Sequence, residues 1–516
     1  MTIVLAFVLL LGLVGVLVIA ARRSPAGEGG DTGQTVRRFF QYLLLYGLLV
    51  VVANGGSGLL SRLIDRGELV RFDDAQLARS LAFLVIGLPL YVALGWWSFG
   101  RLRSDPEERR SLGWAVYITF ASLTALVMAM VSLYDVLVWV ARVDDYAGAS
   151  GPDLLVWGAI WVLHRVVEAG TTPPERSRAH HLAGSLIGLG AAATGLGGVI
   201  GWVVENLVRS TPDLVGEPES ALLRSGATLV VGSLAWVLYW VRLAAKMPRR
   251  GLWLGYVLVV GVAGGLLTLL GAASLVLHDV LVWFIGQPTT ENAASHFGDS
   301  YGSVGTAAAA ALVWWYHRSL VADRSGTRGE PGRVYDYLIS GVGLLATAAG
   351  VAVILVALFE GVAGSGGLVV SGGAINTLLG AFTLLAVGVP VWWSTWKRIR
   401  YAVVADPDAE AGSPSRRVYL FLLFGVGGVV AVVSLIVVVF IFIEDAIEGV
   451  LSAETLRSAR YGLALLLATA VVAGYHWTVY RDDRRRVSHV RRGPRYVLLI
   501  GAPDTEVGPA LAHRTG

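Results

Sequence analysis

The chain has 516 residues, of which 55% are apolar and 15% charged, and its mean hydropathy is +0.65. A soluble core of ordinary composition cannot bury that much hydrocarbon, so the composition indicates a multi-span membrane protein. The absence of cysteine excludes disulfides, thiolate metal sites, iron–sulfur clusters and cysteine nucleophiles.

The first predicted element is an apolar span over residues 2–20, followed by Arg22 and Arg23. No charge precedes this span, and it lacks the basic start and the small-residue site that are typical of a cleaved signal peptide. We therefore predict that residues 1–35 form an uncleaved transmembrane anchor and a linker, with the N-terminus outside the cell.

Six two-helix units follow, and each has the same order of features. A long apolar helix starts after one or two basic residues and ends at an acid, and after a polar or Gly-rich loop a second apolar helix carries an aromatic residue. The acids are Asp65, Asp135, Glu205, Asp279, Glu360 and Asp445. The aromatics are Tyr91, Trp161, Trp236, Trp314, Trp392 and Tyr475. The pattern predicts an all-α polytopic membrane protein of about 13 transmembrane helices, with six parallel helix hairpins.

Basic residues indicate the orientation of these hairpins. Most of the 41 Lys and Arg residues lie in the predicted connections between units and in the tail, residues 481–516. By the positive-inside rule, these segments and the C-terminus are cytoplasmic in a multi-pass protein of the cell membrane. The net charge of +4 is thus a topology signal and does not indicate a nucleic-acid partner. We expect the Arg-rich connections and tail to contact anionic lipid.

Alternate units differ in a way that predicts larger modules. Units one, three and five place a glycine four residues before the aromatic, at Gly87, Gly232 and Gly388. Units two, four and six carry a histidine at the predicted cytoplasmic end of the second helix, at His164, His317 and His476. We predict three four-helix modules, 36–178, 179–331 and 332–480, around a pseudo-threefold axis. Linkers such as residues 405–415 are expected to be flexible.

The second helices end in a W-x-x-H/W-R type motif. It is carried by AIWVLHRVV (159–167), AWVLYWVRL (235–243), LVWWYHRSL (312–320) and VWWSTWKRIR (391–400). This repeated pattern resembles a bacterial membrane family that is catalogued only as a domain of unknown function. The resemblance implies a repeated hairpin fold and membrane residence, but it supplies no activity and no catalytic residue. Units one and six depart from the motif at Leu94 and Thr478.

The six acids allow more than one interpretation. The helix length before each acid exceeds the hydrocarbon thickness, which places the acids at the outer interface. Because a helix C-terminus disfavours negative charge, we expect arginines at the next helix, Arg79, Arg224 and Arg460, to pair with the acids of units one, three and six. The alternatives are a ring of carboxylates that concentrates cations, and a surface for docking a partner.

The aromatics and glycines predict structural roles. Tryptophan and tyrosine near basic helix ends are typical of the interfacial belt and of helix packing. The glycines one turn earlier would let a second helix approach closely.

The three histidines allow a weak cofactor hypothesis. At similar depth in equivalent positions, two of them could ligate haem b or all three could face a metal. However, His164 and His317 directly precede arginines at predicted interface depth, whereas haem ligands lie within a bundle. We therefore expect imidazoles in contact with solvent or lipid headgroups, with no cofactor and no metal.

No enzyme signature is present: the chain has no H-E-x-x-H motif, no P-loop and no long polar loop with clustered Asp or His. Ionisable residues deep in the predicted spans are also scarce. These features favour a non-enzymatic scaffold or accessory subunit that binds partner membrane proteins or lipids. The alternative is a channel or secondary transporter for a small cation, and a minor alternative is a b-type haem-binding subunit.

Overall fold

A computed structural model describes residues 32–64, 74–145, 148–208, 218–321, 329–363 and 373–486. The predicted N-terminal anchor, Asp65 and the tail beyond Arg486 lie outside the described residues. Within the described ranges the regular structure is helical and contains no strand. The protein is an all-α polytopic membrane protein, as the sequence predicts.

The helices match the predicted hairpins. In chain order they are α1 (Thr32–Ile64), α2 (Asp74–Ser104), α3 (Pro106–Arg110), α4 (Leu112–Val140), α5 (Ser150–Thr171), α6 (Pro174–Val208), α7 (Pro218–Trp236, extended by the π-helical Val237–Val241), α8 (Gly251–Phe284), α9 (Ala293–His296), α10 (Ser300–Val321), α11 (Glu330–Val362), α12 (Gly373–Ala405), α13 (Pro407–Ala411), α14 (Pro414–Glu448) and α15 (Ala453–Arg486). The hairpins are α1/α2, α4/α5, α6/α7, α8/α10, α11/α12 and α14/α15.

Two ends of these hairpins are distinguished below. The loop end carries the loop inside each hairpin, and the linker end carries the connection from one hairpin to the next. Hairpins one and two are called the first pair, hairpins three and four the middle pair, and hairpins five and six the last pair.

Eleven of the described helices are long and apolar enough to cross a membrane, by length and composition. Helix α10 is not among them, because its apolar run is interrupted by serine, glycine, tryptophan, tyrosine and histidine. The predicted count of about 13 also included the span at residues 2–20, which is outside the described residues.

The described residues form two compact units, one up to Val321 and one from Gly329 onward. In each pair the first helix of the odd hairpin contacts the second helix of the even hairpin: α1 contacts α5, α6 contacts α10, and α11 contacts α15. Each pair also contains an apolar cluster, around Trp114, Trp240 or Trp396, whose residues come from both of its hairpins. The arrangement of three modules around one axis stays a prediction.

The three glycines singled out in the sequence lie where the two helices of an odd hairpin meet. A Cβ atom on Gly232 would lie 2.2 Å from the backbone nitrogen of Ala192, and one on Gly388 would lie 2.7 Å from the backbone nitrogen of Thr347. Gly87 is less tightly enclosed, since its Cβ would meet a valine methyl at 3.1 Å. Small residues at these points let the helix backbones touch.

The facing helix contributes its own glycines to the same contact. A Cβ atom on Gly188 would lie 2.4 Å from the backbone nitrogen of Trp236, and one on Gly343 would lie 2.5 Å from that of Trp392. Because backbone atoms cannot move aside as a flexible side chain can, these positions exclude any larger residue without separating the helices.

Gly188→Ala is expected to destabilise the protein by about 1 to 3 kcal/mol, because the added methyl group overlaps the backbone of α7. The matched control is Gly190→Ala on the same helix, where nothing lies within 4 Å of the added atom. The control should be neutral or stabilising by up to about 1 kcal/mol. The free energy of unfolding, measured by SDS titration of the purified protein in mild detergent, checks both values. Equal changes for the two variants would contradict the packing described here.

Candidate functional site

The linker helix α3 buries a carboxylate between two arginines. Glu108 is fully buried, and its Oε2 accepts hydrogen bonds from Arg38 Nε and Arg37 Nη2, each at 3.0 Å. Its Oε1 accepts a hydrogen bond from the Tyr42 hydroxyl at 2.9 Å. The acid therefore ties the linker between hairpins one and two to the start of α1.

The last pair repeats this arrangement in a linker that was expected to be flexible. Residues 405–415 instead contain α13, which begins after an N-cap at Asp406 and buries Glu410. Glu410 Oε1 accepts a hydrogen bond from Arg333 Nε at 3.1 Å. Composition alone made this linker look flexible, and the prediction was wrong because the N-cap and the buried ion pair order it.

A second buried ion pair joins helices within hairpins five and six. Arg416 on α14 donates to the two carboxylate oxygens of Asp483 on α15, at 2.5 and 3.0 Å. Its remaining nitrogen donates to the Tyr337 hydroxyl on α11 at 3.0 Å. The two-pronged geometry joins three helices through one guanidinium group.

The three predicted histidines are buried, so the expectation of solvated imidazoles was wrong. His317 and His476 are fully buried, and His164 is 4% exposed. In each ring Nδ1 lies 2.8 Å from the carbonyl oxygen four residues earlier, and since a carbonyl only accepts, Nδ1 carries the proton. His164 Nε2 accepts a hydrogen bond from the Tyr117 hydroxyl at 3.1 Å.

Each histidine packs against a tyrosine from the first helix of its own hairpin. The ring centroids are 5.8 Å apart for Tyr117 with His164 and 5.9 Å apart in the two equivalent pairs, Tyr256 with His317 and Tyr419 with His476. A methyl group at Gly261 would lie 2.1 Å from the imidazole of His317. Tight packing of each imidazole in its own aromatic cluster favours a structural role over haem ligation, which needs space for the iron in line with a ring nitrogen.

The six aromatic residues of the repeat, called the aromatic column below, face the protein interior as much as the lipid. All six residues are half-buried. Trp161 donates to the Tyr239 hydroxyl at 2.8 Å, and the Trp392 ring stands edge-on to Tyr475 at 6.0 Å. These contacts connect neighbouring hairpins, so the column contributes to packing between them.

The acids at the loop end are hydrogen-bonded within their own hairpins in the even units. Asp279 accepts a hydrogen bond from Ser300 at 2.6 Å, and Asp445 accepts one from Thr455. Asp135 likewise has Ser150 as a hydrogen-bond partner. The hydroxyl groups sit in the first turn of the following helix, and they satisfy the acids without an arginine.

Among the described residues, two predicted arginine pairs, Glu205 with Arg224 and Asp445 with Arg460, do not form. Arg224 forms its ion pair with Asp144 in the loop of hairpin two, with both oxygen contacts at 2.5 Å. Glu205 is half-buried and Glu360 is exposed. Asp65 lies outside the described residues, so its predicted pairing with Arg79 is not described.

Where α5 of the first pair meets α6 of the middle pair lies a cluster that the sequence analysis did not single out. Glu168 is 2% exposed and lies 2.8 Å from His180 Nδ1 and 3.3 Å from His181 Nε2. Its second oxygen pairs with Arg165, and His180 Nε2 lies 3.2 Å from the Tyr239 hydroxyl. The adjacent histidines His180 and His181, near the start of α6, were the available sequence signal.

This cluster offers three donor atoms within 4.8 Å of one another, a spacing compatible with a metal ion. However, an Arg165 nitrogen lies 3.1 Å from His181 Nε2 and also pairs with Glu168. A guanidinium group in that position competes with a metal cation for the same electron pairs. The arrangement therefore favours a buried charge network.

The chain matches the family described as Domain of unknown function (DUF5671) over residues 38–144, 178–316 and 333–448. The resemblance to a domain of unknown function is thereby confirmed, with the matched domain repeated in three segments. No curated protein and no solved structure matches the chain.

Glu108→Gln is expected to destabilise the protein by about 3 kcal/mol, because two arginines would keep their charge beside an uncharged amide. Glu107→Gln is the matched control, since the Glu107 side chain is 72% exposed and pairs with Arg110 at the surface. The control should change stability by no more than about 0.5 kcal/mol. Chemical denaturation in detergent gives both values, and a control as damaging as Glu108→Gln would refute the role of the buried pair.

Stability should also depend on pH through Glu108. Burial raises the pKa of this carboxyl, but hydrogen bonds from Arg38, Tyr42 and Arg37 outweigh burial, so the pKa lies below its ordinary value. The folded state then binds this proton less readily than the unfolded state. The stabilisation is complete above the ordinary glutamate pKa of about 4.3, and it is lost as the pH falls through the lowered pKa. As the pH is lowered, the free energy of unfolding should decline less steeply for Glu108→Gln than for wild type. Equal slopes would disprove the contribution of Glu108 to the pH dependence.

Proposed function

Because this chain belongs to the DUF5671 family, whose description states no activity, we propose its function from its own residues. The protein is a non-enzymatic scaffold or accessory subunit of the cell membrane. It binds partner membrane proteins and lipids through its helix faces and loops, with its linkers on the cytoplasmic side.

The observation that carries this proposal is the position of the buried acids and of their arginine partners. Glu108 joins a linker to α1, Glu410 joins a linker to α11, and Asp483 joins α15 to α14. Enzymes and ion pathways place titratable groups where a substrate or an ion can reach them. Here these three buried acids instead pair with arginines and hold linkers and helices together, which supports a role in which the folded shape itself is the function.

Apolar helix faces supply the surface that such a scaffold needs. Helix α14 is the most hydrophobic of the described spans. Only 11% of the residues in its most hydrophobic stretch are buried within the protein. Phe421, Phe440 and Ile447 are 76%, 60% and 81% exposed on this helix. Surfaces of this kind pack against lipid chains or against helices of another membrane protein.

The cation-channel alternative has less support. Asp279 and Asp445, two of the acids in the supposed ring, are held by hydroxyl groups of their own hairpins. A selectivity ring needs carboxylates that face a shared opening and exchange their contacts with passing ions. The haem alternative is weakened because His164, His317 and His476 each pack in a separate aromatic cluster, against a tyrosine of the same hairpin.

Neutralising the six acids tests whether the scaffold hypothesis or the cation-channel hypothesis is correct. A variant with Asp65→Asn, Asp135→Asn, Glu205→Gln, Asp279→Asn, Glu360→Gln and Asp445→Asn is expected to stay folded and to keep the partners of the wild type. Both proteins are extracted from native membranes in mild detergent, and co-purifying chains are identified by mass spectrometry. In parallel, liposomes containing each protein are tested for sodium and potassium flux. A flux in wild type that the variant lacks would reject the scaffold, and a Soret band in the visible spectrum would restore the haem hypothesis.

A further inference from the structure

The linker between the two hairpins of the middle pair lacks a glutamate that the equivalent linkers of the first and last pairs contain. In the first and last pairs a linker glutamate accepts a hydrogen bond from the Nε atom of an arginine near the start of the odd hairpin, at 3.0 Å for Glu108 with Arg38 and 3.1 Å for Glu410 with Arg333. The linker of the middle pair, residues 244–250, contains one lysine, two arginines and no acid. The charge pattern of the linker is thus reversed at this one place.

Arg178 is the arginine of the middle pair that corresponds to Arg333. Each precedes by ten positions a glycine, Gly188 or Gly343, that packs on the backbone nitrogen of the column tryptophan. Arg333 has the linker acid Glu410 as its partner. In the part of the chain that the structure describes, no acid pairs with Arg178.

A cavity of about 470 Å³ opens beside Arg178 at the linker end. It lies between the end of α5, the first turn of α6 and the segment after α7, and its cationic lining residues are Arg165, Arg178, Arg242 and Lys246. The acid in the lining is Glu168, and it is already engaged by Arg165 and His180. Among the described residues, Arg242 and Lys246 also have no acidic partner, so the cavity has an excess of positive charge.

The lining chemistry fits a phosphate group. Arginine presents paired N–H groups that match two phosphate oxygens, and lysine adds a point charge. The hydroxyl-bearing residues Thr172 and Ser177 also line the cavity. Pro174, the first residue of α6, also lines the cavity, so the positive end of a long helix lies beside it.

A second, apolar cavity continues from the first. Its volume is about 370 Å³, and it shares Arg165, Ala169 and Arg242 with the basic cavity. From there it runs along α5 and α7, where Trp161 and Val166 form part of its wall. Because these helices are candidate membrane spans, the apolar cavity lies where a lipid chain would be.

We propose that the two cavities together bind an anionic glycerophospholipid. Its phosphate takes the place that the carboxylates of Glu108 and Glu410 occupy in the flanking pairs, and one acyl chain lies against Trp161 and Val166. The site goes beyond the scaffold proposal and does not depend on it, because lipid binding is a property of the purified chain alone.

The test compares two double variants with the same change in charge in the same linker region. Arg242→Gln/Lys246→Gln removes two cations that line the cavity, whereas Arg249→Gln/Arg250→Gln removes two that do not line it. The full-length protein is purified in mild detergent, and binding of phosphatidylglycerol, phosphatidylcholine and inorganic phosphate is measured by native mass spectrometry. Wild type is expected to prefer phosphatidylglycerol, and the cavity variant is expected to bind it at least about tenfold more weakly. The control variant should stay within about twofold of wild type.

An uncharged change keeps the proposal testable by a second route. Ala169→Phe narrows the junction of the two cavities, so it should weaken phosphatidylglycerol binding by a similar factor and leave inorganic phosphate binding unchanged. Equal losses in both double variants would mean general attraction to basic loops, and would overturn the site. No loss in the cavity variant would also overturn it. If inorganic phosphate binds as tightly as phosphatidylglycerol and Ala169→Phe has no effect, the lipid proposal is overturned and the ligand is a soluble anion.

Discussion

Backbone contact between the two helices of a hairpin is the constraint on which the rest of the structure depends. In lipid, burying hydrocarbon gives no drive for helices to associate, so stability comes from close packing and from polar contacts. The glycines of the odd hairpins bring α6 against α7 and α11 against α12 at distances that leave no room for a methyl group. This contact holds the two helices of each of these hairpins in a close, fixed position relative to each other.

The linkers add specificity to this packing through buried charge. Glu108 and Glu410 each meet an arginine Nε from the odd hairpin, although the two linkers share little sequence beyond an Asp-Pro start and a later Ser. Burying a charge is costly unless it is paired and hydrogen-bonded, so each pair defines one way for the linker to dock. The middle pair keeps the arginine and omits the acid, and this local departure from the repeat is what distinguishes its cationic cavity.

The sequence predicted some site residues better than others, for reasons visible in the structure. The close-packing role of Gly232 follows from the absence of a side chain, and the geometry agrees with it. The burial of His317 could not be read in the same way, because a histidine beside an arginine at a helix end has the pattern of a solvated residue. Its burial depends on Gly261 and Tyr256, which belong to another helix distant in sequence. The acid Asp279 was expected at the loop end, but its partner there, Ser300, depends on how the loop folds back.

The sequence by itself determined the membrane class, the helical fold, the hairpin repeat and the family. These follow from local composition and from periodic spacing, since an apolar run of sufficient length must form a helix in lipid to satisfy its backbone. The tertiary structure decided which polar groups meet: Glu108 with Arg38 and Glu168 with His180, while Arg178 meets no acid among the described residues. Such pairings join residues that are far apart in sequence or on different helices, and their geometry depends on helix rotation and on distances of a few tenths of an ångström. A single sequence does not encode those quantities in any local pattern.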